Sequence, residues 1–201
     1  MRKVKILCIG DSLSAGFPDF DALYGGNPES SYQFWMEKAL REKAAEEKYE
    51  FINRGVCGDT SYGITARFLR CLETQDVDLA IMQGGTNDIG MVPEAKIFAT
   101  LAKGYGACIK AGIPLIAAGV PPMNFPETLS AIKAVNKNIG QYCAAVEGMF
   151  FANWFEVLGN SREQLDIECD AGDGVHFSVA GYKKAGRLLA SIVLEALQSR
   201  S

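Results

Sequence analysis

Hydrophobic positions along the chain fall into two alternating rhythms. Five short apolar runs, each rich in β-branched or aromatic residues, occupy Val4–Ile9, Tyr49–Asn53, Leu79–Gln83, Ile113–Gly119 and Met149–Asn153. Runs of that length and composition predict buried strands. Between them the apolar residues repeat at helical spacing. Ser31–Lys48 places Phe34, Trp35, Ala39 and Leu40 on one side and its charges on the other, and Thr60–Leu72 does the same with Ile64, Phe68 and Leu72. Glu94–Ala111, Ser130–Val146 and Ser178–Leu197 complete the series, so the pattern predicts five β-α units. Parallel strands need crossover connections, and helices in those crossovers cover the sheet. The expected fold is α/β, a five-stranded parallel sheet with helices on both faces.

Two connections exceed the usual few residues: Phe17–Ser30, rich in Gly, Pro, Asp and aromatics, and Gly159–Phe177. Loops of that length in a compact domain are often functional. In an open parallel sheet, ligands bind outside the carboxyl ends of the strands, so the residues just beyond each predicted strand matter most. The first strand runs into Gly10-Asp11-Ser12, the second into "NRGVCGDT" (53–60), and the third into "GGTND" (84–88). The fourth leads into "PPMNFPE" (121–127), and the loop after the fifth ends in "DGVHF" (173–177). The polar clusters thus gather on one rim.

Composition narrows the setting. With 201 residues, 48% hydrophobic and 22% charged, the chain has the size of one α/β domain spanning residues 1–201. A net charge of -4 and the absence of a Lys/Arg cluster argue against a nucleic-acid partner. The start "MRKVKILCIG" superficially resembles a secretory leader, but its apolar run is too short and leads directly into the glycine, so it reads as the first strand. No stretch is long enough to span a bilayer. Six scattered cysteines without a C-x-x-C pair read as small buried hydrophobes, reduced thiols of a cytoplasmic protein.

A serine hydroxyl needs a base to become a nucleophile, normally a histidine held by a carboxylate. The chain has one histidine, His176, three residues after Asp173. Asp and His that close can share one tight turn, with Nε2 pointing across the rim toward Ser12. The reaction also needs donors aimed at a developing oxyanion. Gly58 can offer an unobstructed backbone N–H, Asn87 its side-chain amide, and Ser12 its own N–H. Each residue has a plainer role available. Ser12 or Asp11 can cap a helix, Asn87 can shape a turn, Gly58 can supply a positive φ, and Trp35 and Trp154 fit a core. Asp88 and Thr86 read as supporting or capping residues. Phosphoryl chemistry lacks its G-x-x-x-x-G-K-[ST] loop, and one histidine with scattered acids gives no metal cluster. No cofactor is called for.

Four blocks together carry a resemblance. "GDSLSAG" (10–16), "NRGVCGDT", "GGTND" and "DGVHFS" (173–178) resemble, in order and over nearly the whole length, the four blocks of the GDSL or SGNH hydrolases. The resemblance implies a flavodoxin-like three-layer α/β/α sandwich and hydrolysis of a small-molecule ester or thioester through an acyl-serine. Ser12 matches the nucleophile, Gly58 and Asn87 the oxyanion donors, and Asp173 with His176 the remaining pair. Small acyl esters, acetylated sugars and acyl-CoA all fit that chemistry. The G-x-S-x-G elbow of the larger lipase fold is absent, because Ser14 occupies its final position. On this reading the first strand stops at Gly-Asp-Ser to deliver the nucleophile, and Gly10 permits the turn. The alternative from another class is a non-catalytic ligand-binding module on the same fold. Labelling by a fluorophosphonate separates the two.

Overall fold

Strands and helices alternate through the chain in the order β1 (Val4–Gly10), α1 (Ser12–Ala15), β2 (Phe20–Asp21), β3 (Gly25–Gly26), α2 (Tyr32–Lys43), β4 (Tyr49–Gly55) and α3 (Ser61–Thr74), then β5 (Leu79–Gln83), α4 (Glu94–Lys110), β6 (Leu115–Ala118), α5 (Leu129–Ala145), β7 (Met149–Ala152), α6 (Trp154–Leu158) and α7 (Val179–Gln198). The structure, a computed structural model, describes residues 3–21, 24–44 and 48–199. Residues 45–47 of the helix predicted over Ser31–Lys48, and 22–23 of the long loop after β1, lie outside the described residues.

All five predicted strands pair in one parallel sheet, in the order β4-β1-β5-β6-β7. Successive side chains on a strand point to opposite faces, and both faces are apolar. Ile6 and Cys8 of β1 join Leu79, Ile81, Ile116 and Ala118 in the core beneath α2 and α7. Leu7 and Ile9 join Ala80, Met82, Leu115 and Ala117 in the core beneath α3, α4 and α5. This three-layer α/β/α arrangement is the fold the resemblance implies. From β1 the chain passes to β4 on one side and then crosses to β5 on the other, so strand order reverses between β1 and β5. That reversal opens the crevice where parallel sheets bind ligands.

The starts of α2 and α7 follow serine caps. Ser31 lies outside α2 and caps it by accepting from the Phe34 N–H, and Ser178 caps α7 by accepting from the Gly181 N–H. Periodicity alone assigns both serines to the helices, one residue too early in each case. Among the described residues no helix is long and apolar enough to cross a membrane. All six cysteines are free, and Cys57 alone of them is exposed.

The single turn of α1 escapes periodicity because four residues carry no period. Asp11 caps it by accepting from the Leu13 N–H at 2.9 Å, and Gly16, at φ +109, ends it. Side chains from neighbouring elements satisfy its carbonyls: Gln33 Nε2 donates to Ser14 O at 2.9 Å and Asn53 Nδ2 to Ala15 O at 3.2 Å. Gly10 serves close approach rather than an unusual turn. A Cβ there would overlap Ser14 Oγ and Gln83 Oε1, whereas its φ is not left-handed. Gly55, at the end of β4, is pressed against α1 in the same way, and a Cβ there would meet the main-chain N of Ala15.

Gly55→Ala should therefore force α1 off its seat. Overpacking of this kind costs roughly 1–3 kcal/mol, read as a lowered denaturation midpoint in urea. An unchanged midpoint would contradict the close seating of α1 on β4.

Candidate active site

Ser12 is the first residue of α1, directly after its cap, and is only 6% exposed. Its Oγ lies 2.9 Å from Nε2 of His176, a residue 164 positions further along the chain. The other ring nitrogen, Nδ1, lies 2.6 Å from Oδ2 of Asp173. The second Asp173 oxygen accepts the main-chain N–H groups of Val175 at 2.9 Å and His176 at 2.8 Å. A carboxylate can only accept, so Nδ1 carries the imidazole hydrogen and Nε2 presents its lone pair to the Ser12 hydroxyl.

The loop that carries Asp173 and His176 is anchored from below. Phe177 comes directly after His176, is fully buried, and packs edge-on to Trp154 at 5.6 Å and to Tyr182 at 5.3 Å. Burying a phenyl ring contributes roughly 1.5–3 kcal/mol, so the residue after His176 fixes the loop. From above, the ring of Phe17 lies 4.5 Å from the imidazole, and its carbonyl accepts from the Tyr182 hydroxyl at 2.7 Å.

The turns after β4 and β5 follow the two strands that flank β1. Gly58 has φ +75, and apart from its chain neighbours no heavy atom lies within 4 Å of where its Cβ would be. No partner for its N–H, or for that of Ser12, occurs among the described residues. Asn87 sits on a short 3-10 turn, Thr86–Asp88, and its Nδ2 donates one hydrogen to Asp59 O at 2.9 Å. The second amide hydrogen is left for another acceptor. Ser12, Asp173 and His176 thus form one continuous chain of contacts, and Gly58 and Asn87 are linked through Asp59.

Other residues have supporting positions. Asp88 is buried and accepts from Ser61 N at 2.8 Å and Ser61 Oγ at 2.7 Å, tying the β5 turn to the start of α3. The helix cap is Asp11 rather than Ser12. Trp35 and Trp154 are core residues. Two residues matter here that sequence reasoning misses. Gln83, last in β5, accepts the Asp11 N–H at 3.1 Å and donates to Asp11 Oδ2 at 2.9 Å and Thr86 Oγ1 at 3.1 Å. An amide closing an otherwise apolar strand is its one signal. Arg67 of α3 reaches Gly10 O, Arg54 O and Asp59, contacts that only the topology reveals.

Electrostatics separate the two acids. Burial pushes the Asp11 carboxyl up to about 6, against the opposing hydrogen bonds from Gln83, Leu13 and Thr86 and the charge of His176. For Asp173, burial also acts upward, but hydrogen bonds from the His176 main chain and ring and from Val175 outweigh it and lower the pKa. Asp173 is therefore ionised wherever His176 needs a partner. The nearby Cys57 thiol is raised by burial and by the charges of Asp21 and Asp11, which disfavours a thiolate there.

Known proteins share this architecture. Residues 8–184 match the GDSL-like lipase/acylhydrolase family model. Among solved structures, the chain is similar to a member of the lipolytic G-D-S-L family from Veillonella parvula, with 21% identity, TM-score 0.74, and 95% and 98% of the two chains covered. It is also similar to the M. smegmatis aryl esterase, with 19% identity, TM-score 0.73, and 96% and 99% covered. A carbohydrate esterase of family 3 from Talaromyces cellulolyticus matches with 15% identity, TM-score 0.74, and 97% and 98% covered. At these identities the likeness is one of fold. No curated protein matches the chain significantly.

The raised Asp11 carboxyl has a measurable consequence. An acid whose pKa rises on folding is favoured as the neutral form, so its stabilising contribution is present at low pH and is lost as pH rises through about 6. Asp11→Asn removes the titration. The stability of Asp11→Asn relative to wild type should therefore shift in the variant's favour by up to about 3 kcal/mol between about pH 3.5 and about pH 7.5. Urea unfolding at both pH values measures it. A pH-independent difference would contradict a buried, titrating Asp11.

Proposed function

The chain belongs to the GDSL-like lipase/acylhydrolase family and is a carboxylic ester hydrolase, and we propose that it works through an acyl-serine formed on Ser12. The observation that carries this reading is the uninterrupted contact chain from Ser12 Oγ to His176 Nε2 at 2.9 Å and from His176 Nδ1 to Asp173 at 2.6 Å. Ser12 Oγ attacks the substrate carbonyl while its proton passes to Nε2. Asp173 holds the ring and stabilises the imidazolium. The carbonyl oxygen, now negative, accepts from the N–H groups of Ser12 and Gly58 and from the free amide hydrogen of Asn87. Collapse of the tetrahedral species breaks the bond to the alcohol or thiol, which leaves with the proton from His176. Water, deprotonated by the same Nε2, then attacks the acyl-serine, releasing the carboxylic acid and restoring the hydroxyl.

The substrate on this reading is a small-molecule ester or thioester. The partly exposed rings of Phe17 and Phe125 supply apolar surface on the rim for one half of it. A complete nucleophile, base and orienter support turnover over a non-catalytic binding module. The six free thiols, one of them exposed, support a reducing, cytoplasmic setting.

Ser12→Ala should abolish hydrolysis of a p-nitrophenyl ester, a loss on the order of a million-fold in kcat, without unfolding the protein. Most of the activity surviving in a folded variant would sink the nucleophile assignment. Asn87→Ala should lower kcat by roughly a hundred-fold at little changed KM, because an oxyanion donor acts mainly on the transition state. A raised KM at unchanged kcat would make Asn87 a substrate-positioning residue instead.

A further inference from the structure

Arg67 joins three pieces of chain that meet around Ser12. Its Nε donates to Asp59 Oδ2 at 2.8 Å, and its Nη2 lies 2.7 Å from the same oxygen. Nη1 donates to the carbonyl of Arg54 at 2.6 Å, and Nη2 to that of Gly10 at 2.9 Å. Both side chains are largely shielded, with 21% of Arg67 and 16% of Asp59 exposed. One guanidinium thus holds the end of the nucleophile strand, the end of the neighbouring strand, and the turn that carries Gly58.

Among the described residues few other bonds hold the turn, one of them from the Thr60 N–H to Asp59 Oδ1 at 2.9 Å. Its main-chain bonds are Val56 N–H to Gly10 O at 3.0 Å and Asp59 N–H to Val56 O at 3.2 Å. Asp59 is clamped by Arg67 at its carboxylate, while its own carbonyl accepts the Asn87 amide at 2.9 Å. Fixing Asp59 therefore fixes two neighbours at once: the peptide of Gly58 just before it, and the amide of Asn87 beyond it. We propose that Arg67 is a positioning residue for the oxyanion site, holding the Gly58 N–H and the Asn87 amide in register with Ser12 through Asp59. The proposal rests on the acyl-serine mechanism.

A planar fork with five donors can meet three acceptors from one position, and a lysine ammonium cannot reproduce that geometry. Arg67→Lys should therefore fold and yet lose kcat by roughly ten- to a hundred-fold, with KM within about two-fold of wild type, since misplaced donors weaken transition-state binding. Inhibition by phenylboronic acid, which forms a tetrahedral adduct on a serine, should weaken in parallel. Asp59→Asn, which keeps the turn but discharges the clamp, should show the same signature. Millimolar methylguanidinium should restore part of the kcat of Arg67→Ala but none of that of Asn87→Ala.

Because Arg67 acts through Asn87 and Gly58, adding Asn87→Ala to Arg67→Lys should cost far less than the product of the two single losses. A merely structural ion pair would lower the melting temperature and leave kcat per folded molecule unchanged. That result in Arg67→Lys and Asp59→Asn, or fully multiplicative losses in the double variant, would overturn the proposal. Fluorophosphonate labelling of wild type keeps the two readings apart. A wild type that does not label at Ser12 defeats the acyl-serine itself, whereas normal labelling with unimpaired Arg67 and Asp59 variants defeats only the clamp.

Discussion

Where the strand order reverses, the side chain of Gln83 meets Asp11, and that buried contact ties together the two strand ends on which the candidate site is built. The amide oxygen accepts the Asp11 N–H, and the amide nitrogen donates to the Asp11 carboxyl and to Thr86. Three groups that would be costly to bury unpaired are thereby satisfied at once. The same contact joins the β1 end, which carries Ser12, to the β5 end, which carries Asn87. Gly10 leaves room for it, since any Cβ there would displace the Gln83 oxygen. Asp11 in turn caps α1, so the conformation of Ser12 depends on a hydrogen-bonded hub beneath it.

Around that hub the fold divides labour between apolar anchors and polar tips. His176 and Asp173 stand on a loop, but Phe177 pins the loop into the cluster of Trp154 and Tyr182. Asp173 spends one oxygen on its own turn and keeps the other for the imidazole. The turns after β4 and β5 are held by ions and amides instead: Asp88 against Ser61, and Arg67 against Asp59. Strands thus deliver the groups to the rim, while contacts one layer below decide their orientation.

The range of each interaction decides how much of this is legible in the sequence. The five strands and five principal helices announce themselves through local periodicity, and all of them occur, with starts shifted by one residue where Ser31 and Ser178 serve as caps. The sandwich with its parallel sheet comes from the alternation of elements. The four polar blocks are visible because each lies immediately beyond a strand or before a helix, and the structure brings their residues within contact distance. By contrast, α1 is a single turn and has no period to detect. The tasks of Gln83 and Arg67 are illegible because their partners, Asp11 and Gly10, are distant in sequence and near only once β1 lies between β4 and β5. Gly10 stands out in the sequence as a turn residue, yet space beside Gln83, not backbone freedom, is what it provides.

Trapping the covalent intermediate tests the acyl-serine most directly. Wild-type protein mixed with an excess of an aryl ester and quenched in acid within milliseconds should yield, after digestion, a peptide containing Ser12 heavier by the mass of the acyl group. That adduct should decay as the substrate is exhausted. Turnover with no acylated peptide, or with the acyl group on Cys57 or any residue other than Ser12, would contradict the account.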